Sequence, residues 1–180
     1  MLVVAFSGKV GSGKSSVSAA VAQKLGWARV GFGDYVRKVA LTQHLEATRQ
    51  TLQDLGQHLL DTDARAFCEA VLAQAPISSS PLVIDGVRHE HVLQLLKELV
   101  APRKLVHLHL ALDDATREDR ILSRQDTNDE HDLVRIDAHP TELQVINSLP
   151  EQADLVIDAS GKLDSVVEQI MLWLWDFDAH

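Results

Sequence analysis

Near its start the chain carries Gly8-Lys9-Val10-Gly11-Ser12-Gly13-Lys14-Ser15, a full match to G-x-x-x-x-G-K-[ST]. An apolar run, Leu2–Ser7, precedes it and an amphipathic segment, Ser15–Leu25, comes after it. No other feature narrows the fold as far, because the string needs a strand that ends abruptly and a helix that begins at once. Its glycines let backbone N–H groups turn inward around an anion without interference from Cβ atoms. The next helix points the positive end of its dipole at the same place. Lys14 is expected to reach the β- and γ-phosphates of ATP, and Ser15 to set its hydroxyl on Mg2+. The main-chain groups around the phosphates are those of Gly11, Ser12, Gly13, Lys14 and Ser15, with Gly8, Val10 and Ser16 beside them. A glycine-rich turn without a ligand is the weaker alternative, since both flanks have the required character.

Four further apolar runs read as strands: Ala28–Phe32, Leu82–Asp85, Leu105–Leu112 and Leu155–Asp158. They are short and nearly continuous, as suits strands covered on both faces. Helical spacing of apolar residues recurs between them, in Gln50–Leu60, in His89–Val100 and in the last segment from Leu163 to Leu174. Strands that alternate with helices imply right-handed crossovers and a three-layer α/β domain. Residues 34–80 hold helical patterns and no strand, and Gln125–Asp132 is polar and charged.

The net formal charge of −9 disfavours a nucleic-acid partner, which needs clustered Lys and Arg. No segment is apolar for long enough to span a membrane. Cys68 is the only cysteine, so no internal disulfide forms and a reducing, cytoplasmic setting is expected. Cys68 itself reads as a small buried residue.

Several polar residues fall where strands end. Asp34 comes just after the second strand, at the carboxyl edge where ligands bind in parallel sheets. A carboxylate there accepts an acceptor hydroxyl's proton or holds magnesium through water, and it serves equally as a helix N-cap. Asp85 closes the third strand as a magnesium or acceptor contact, with Arg88 three residues on as a clamp for an acceptor anion or as one half of a surface ion pair. Arg117, Arg120 and Arg124 share a helix face after the fourth strand and offer charge to a transferring phosphoryl group, most firmly at Arg120 and Arg124. His107 and His109 are expected to be packed or hydrogen-bonded rather than metal ligands. Trp173, Trp175 and Phe177 either close the core at the C-terminus, the favoured reading, or make an interface such as a homodimer contact.

Taken together these segments resemble the P-loop nucleoside and nucleotide kinase group, in particular dephospho-CoA kinase and the deoxynucleoside monophosphate kinases. Gly33-Asp34-Tyr35-Val36-Arg37 is similar to the group's segment with an acidic residue and an acceptor-facing Arg, here Arg37. Arg49-Gln50-Thr51-Leu52-Gln53-Asp54-Leu55-Gly56 resembles its acceptor-domain helix and implies Arg49 as a further acceptor contact. Asp85-Gly86-Val87-Arg88 is similar to an Asp-Gly-x-x-Arg loop one residue short. Arg120-Ile121-Leu122-Ser123-Arg124 resembles the start of the lid, and Asp158-Ala159-Ser160-Gly161-Lys162-Leu163 the segment that wraps adenine, which implies Ser160 and Gly161 there. The architecture implied is a P-loop NTPase fold with a five-stranded parallel sheet in the order 2-3-1-4-5. Its core would be 1–33, 81–124 and 150–180, with a helical acceptor insertion over 34–80 and a short lid over 125–149. Within that lid, Arg135, Asp137 and Glu142 have no counterpart in the group. The activity implied is ATP-dependent transfer of a phosphoryl group to a small nucleotide-like acceptor. The alternative is a regulatory ATPase or ATP-binding module that acts through a protein partner.

Overall fold

A computed structural model describes residues 1–76, 81–123 and 140–178. Five strands, β1 (Leu2–Gly8), β2 (Ala28–Gly31), β3 (Leu82–Asp85), β4 (Lys104–Ala111) and β5 (Leu155–Asp158), form one parallel sheet in the order β2-β3-β1-β4-β5. This is the expected order, and each strand lies within about a residue of its expected bounds. Helices α1 (Lys14–Leu25), α2 (Phe32–Thr42), α3 (Arg49–Leu72), α4 (Glu90–Val100), α5 (Asp114–Leu122), α6 (Pro140–Asn147) and α7 (Leu163–Asp178) connect and cover the strands.

Alternation along β1 shows why these strands are apolar throughout. Val3 and Ala5 join a core with Leu82, Ile84, Phe67, Leu96 and Leu149, under α2, α3, α4 and α6. Leu2, Val4 and Phe6 join the opposite core with Val17, Val21, Leu108 and Ile170, under α1 and α7. Every residue of β1 is buried, so a polar face was never available to it. Trp173 stacks on Phe177 at 4.8 Å and both pack on the second core, whereas Trp175 is 62% exposed.

Two elements depart from the sequence expectation. The helix expected over Gln50–Leu60 runs on to Leu72, with one non-helical residue, Asp63 (φ −161°, ψ 94°). The Asp63 carboxylate accepts from the Ala66 N–H at 2.9 Å, so it caps the second half of the helix. That half then buries Phe67, Cys68 and Val71. Of the segment expected as a lid, the described part, 140–149, is a helix and turn whose Val145 and Leu149 are fully buried in the first core. Arg124, Gln125–Asp132, Arg135 and Asp137 lie outside the described residues.

Candidate active site

The carboxyl edge of the sheet carries three neighbouring structures: a phosphate loop, a pair of carboxylates under one arginine, and a cavity lined by three more arginines.

The loop leaves β1 at Gly8 and enters α1 at Lys14. Gly11 and Gly13 take φ of 88° and 83°, backbone that side-chain-bearing residues rarely adopt. At Gly11 space decides as well: a Cβ there would lie 2.8 Å from Ile121 Cδ1 and 3.0 Å from Arg117 Cγ. Helix α5 therefore closes directly over the loop, and Val10 with Ile121 forms a small apolar contact of its own. Lys9 Nζ donates to Asp114 Oδ1 at 2.8 Å and ties the loop to the start of α5. Lys14 is 8% exposed, and Ser15 and Ser16 are exposed. Ser12 Oγ is buried with no hydrogen-bond partner among the described residues, and α1 has no side-chain cap. A buried orphan hydroxyl beside an uncapped helix start, on backbone that only glycine accepts readily, fits an anion such as the phosphates of ATP.

A hydrogen-bonded chain backs the loop. His109 Nδ1 lies 2.8 Å from Ser7 Oγ, which lies 2.7 Å from His107 Nε2, and His107 Nδ1 is 3.3 Å from the Gln152 carbonyl oxygen. A carbonyl can only accept, so His107 donates from Nδ1 and its Nε2 accepts the Ser7 hydroxyl proton. Ser7 Oγ then accepts from His109 Nδ1–H. His107, which accepts at Nε2, is thereby neutral. Burial, followed by His107 and the Lys14 charge, pushes His109 down to about 4, and burial also lowers His107. The two histidines are hydrogen-bonded, as their place on one strand face implied.

Asp34 and Asp85 are brought together by a residue that the sequence did not single out. Arg29, on β2, donates from Nη1 to Asp34 Oδ2 at 3.0 Å, from Nη2 to Asp85 Oδ2 at 2.5 Å, and from Nε to Ser18 Oγ at 3.0 Å. Arg37 adds a bond to Asp34 Oδ1 at 3.3 Å. The other oxygen of Asp85, Oδ1, is buried without a hydrogen-bond partner among the described residues. That orphan oxygen suits a hard cation bound through oxygen. The available signal for Arg29 was a charge inside a short, otherwise apolar strand, where it requires a partner.

Beside the carboxylates lies a cavity of about 380 Å³. Arg37, Arg49 and Arg88 line it, and Phe32, Val36, Leu52, Leu60, Phe67 and Val92 form its apolar wall. Arg88 forms an ion pair with Glu142 of α6, a buried counterpart to the surface pair that was its alternative reading. Burial and repulsion from Arg49, partly offset by Asp85, lower Arg88 to about 10.

Helix α5 divides its arginines. Arg117 is 2% exposed and paired with Asp114 at 3.2 Å, so it is not on a solvated stripe. Arg120 Nη2 donates to the carbonyls of Ser160, at 3.0 Å, and Gly161, at 3.3 Å, and Nη1 lies 3.8 Å from where a Cβ on Gly13 would stand. Arg120 thus bridges the phosphate loop and the segment after β5.

An AAA domain family model matches residues 4–142, the stretch from β1 through α5 into α6. The chain belongs to this AAA domain family. The AAA-domain chain is 27% identical over 175 residues to the adenylate kinase of Synechococcus sp. (strain CC9902), covering 92% of this chain and 94% of that protein. It is 33% identical over 95 residues to a UPF0200 protein of Aeropyrum pernix; that match covers 53% of this chain and about half, 51%, of the relative's length. Among solved structures, a gluconokinase from Sinorhizobium meliloti 1021 superposes with a TM-score of 0.61 at 18% identity, over 99% of this chain and 97% of that one. A shikimate kinase from Aquifex aeolicus VF5 superposes with a TM-score of 0.60 at 14% identity, over 98% of each chain. At these identities the structural matches establish the fold. With the family match and the full-length relative, they set this AAA-domain chain in the P-loop nucleotide and small-molecule kinase group.

Proposed function

We propose that the chain is an ATP-dependent kinase that passes the γ-phosphoryl group to a small nucleotide-like acceptor, a nucleoside or deoxynucleoside monophosphate or a dephospho-CoA-like molecule. The observation that carries this reading is the cavity, lined both by three arginines and by an apolar, partly aromatic wall. An acceptor anion suits the guanidinium groups of Arg37, Arg49 and Arg88. A flat ring suits Phe32 and Phe67, which meet edge to face at 5.2 Å. A polyol would make no use of the aromatic part of that wall, on which a base can stack. This favours a nucleotide over the sugar-type substrates named for the structural neighbours.

Each part of the site has its own share of the chemistry. Main-chain N–H groups from Gly11 to Ser15, with Gly8, Val10 and Ser16 alongside, surround the donor phosphates, and Lys14 stabilises charge on the transferred group. Ser15 and Asp85 would hold Mg2+, which when bound neutralises phosphate charge. Asp34, gripped by Arg29 and Arg37, orients the acceptor oxygen. The bond between the γ-phosphorus and the β,γ-bridging oxygen breaks as one to the acceptor oxygen forms. An acceptor hydroxyl, where there is one, gives up its proton to Asp34 or to solvent. Arg120, with Ser160 and Gly161, supports the nucleotide's base side. Cys68, buried and unpaired, fits a reducing cytoplasmic setting.

Purified protein with ATP and magnesium, offered a panel of nucleoside monophosphates, deoxynucleotides and dephospho-CoA, provides the test. ADP release that depends on one class of acceptor supports the kinase. Equal release without any acceptor would instead support a regulatory ATPase, and no release a binding module. Asp34→Asn should lower kcat by about 100-fold while the Kd for ATP moves less than a few-fold.

A further inference from the structure

Glu142 is the unexpected group beside the cavity. It is fully buried, on the first turn of α6, and its ion pair with Arg88 is the compensation for that charge among the described residues. An isolated buried carboxylate is costly, and a well-packed apolar pair in the same place is often as stable as an ion pair or more so. Stability alone therefore gives no reason for a charge here. Its surroundings do. Helix α6 and the segment after it also hold the start of α4, where the β3–α4 loop ends: Gln144 Oε1 accepts from the Glu90 N–H at 2.9 Å, and Gln152 Nε2 donates to Glu90 Oε2 at 2.6 Å. That loop supplies Gly86, Arg88 and His89 to the cavity. Arg88 lines the cavity and keeps 27% of its side chain exposed while Glu142 keeps none, so the arginine stands between a buried carboxylate and the open cavity.

We propose that Glu142 is a positioning residue, which fixes the Arg88 guanidinium at the cavity for the anionic end of the acceptor. Burial is the main cause of the lowering of Arg88 to about 10, and repulsion from Arg49, which lines the same cavity, adds to it. Without an anchor Arg88 would turn away from Arg49. With the anchor, the two cations stay together and an incoming anion relieves their repulsion. The proposal rests on the acceptor reading above and adds a residue that touches no substrate.

The test compares wild type with Glu142→Gln, which removes the charge and keeps the shape, using whichever panel acceptor turns over. The acceptor KM is expected to rise at least tenfold in Glu142→Gln while the ATP KM stays within twofold. Arg88→Met is expected to raise it as much, and adding Glu142→Gln to Arg88→Met to change little more. An unchanged acceptor KM, an equal rise in both KM values, or full additivity would overturn the proposal. Should Glu142→Gln not fold, Glu142→Asp keeps the charge balanced at a shorter reach, and a smaller rise confined to the acceptor KM is expected there. If wild type transfers phosphate to no panel member, the kinase reading fails on its own. The positioning is then read from the Arg88 Nε–H cross-peak in NMR, assigned by its absence in Arg88→Lys. Faster solvent exchange of that peak in the Glu142 variant supports the anchor, and unaltered exchange contradicts it.

Discussion

At the scale of single residues, the site depends on charges that neutralise one another where water is scarce. Lys14→Ala should lower turnover on the order of 100-fold or more and leave the fold intact, since it removes one electrostatic contact to the transferred group. Steady-state rates together with a far-UV melt check this; near-normal turnover would remove Lys14 from the donor site. Arg29→Met tests the carboxylate pair. Asp85, with 8% of its side chain exposed, then loses the guanidinium beside it and faces Asp34 unscreened. A loss of about 2 kcal/mol in denaturant unfolding is expected, less than for a fully buried pair because Arg29 is 23% exposed. The motif residues were legible in the sequence because their spacing is itself the chemistry. Arg29 and Glu142 were not, because each acts through partners distant in the chain. Each left a trace: a charge inside a short strand for Arg29, and for Glu142 a carboxylate on the same helical face as the buried Val145 and Leu149.

At the scale of elements, apolar runs and helical spacing placed all five strands, and the crossover rule made their sheet parallel. The misplaced boundary was the end of α3. The apolar stripe of Leu52, Leu55, Leu59 and Leu60 stops, and Phe67, Cys68 and Val71 resume it after a break that changes the phase. Asp63 makes the break and then caps the second half. Asp63→Ala should cost about 1 kcal/mol, read by denaturant unfolding, with the largest gain in amide exchange over residues 64–72. An unchanged stability would mean that the second half is held by its packing on α4 alone. The polar residues of α6 illustrate the opposite difficulty. The segment 125–149 reads as a short lid, yet in its described part, 140–149, two fully buried apolar residues and one buried carboxylate sit on the core.

For the molecule as a whole, the same sheet edge serves donor and acceptor, and the hydrogen-bonded chain of His109, Ser7 and His107 stands behind it. Both histidines are lowered from 6.5, His109 to about 4, so the folded state resists protonation that the unfolded chain accepts. Their stabilising contribution is complete above about pH 6.5 and is lost as pH falls towards 4. Thermal melts should therefore decline across that interval, and His109→Asn, which keeps a donor for Ser7, should flatten the decline. An equal slope in the variant would assign the acid sensitivity to other groups. The central claim, that phosphate moves from ATP to a second small molecule, is tested most directly by 31P NMR of ATP, magnesium and the acceptor panel with the protein. The account predicts that the γ-phosphate signal is replaced by a new signal on one acceptor, with ADP in equal amount. Inorganic phosphate appearing in its place, at the same rate with and without acceptor, would contradict it.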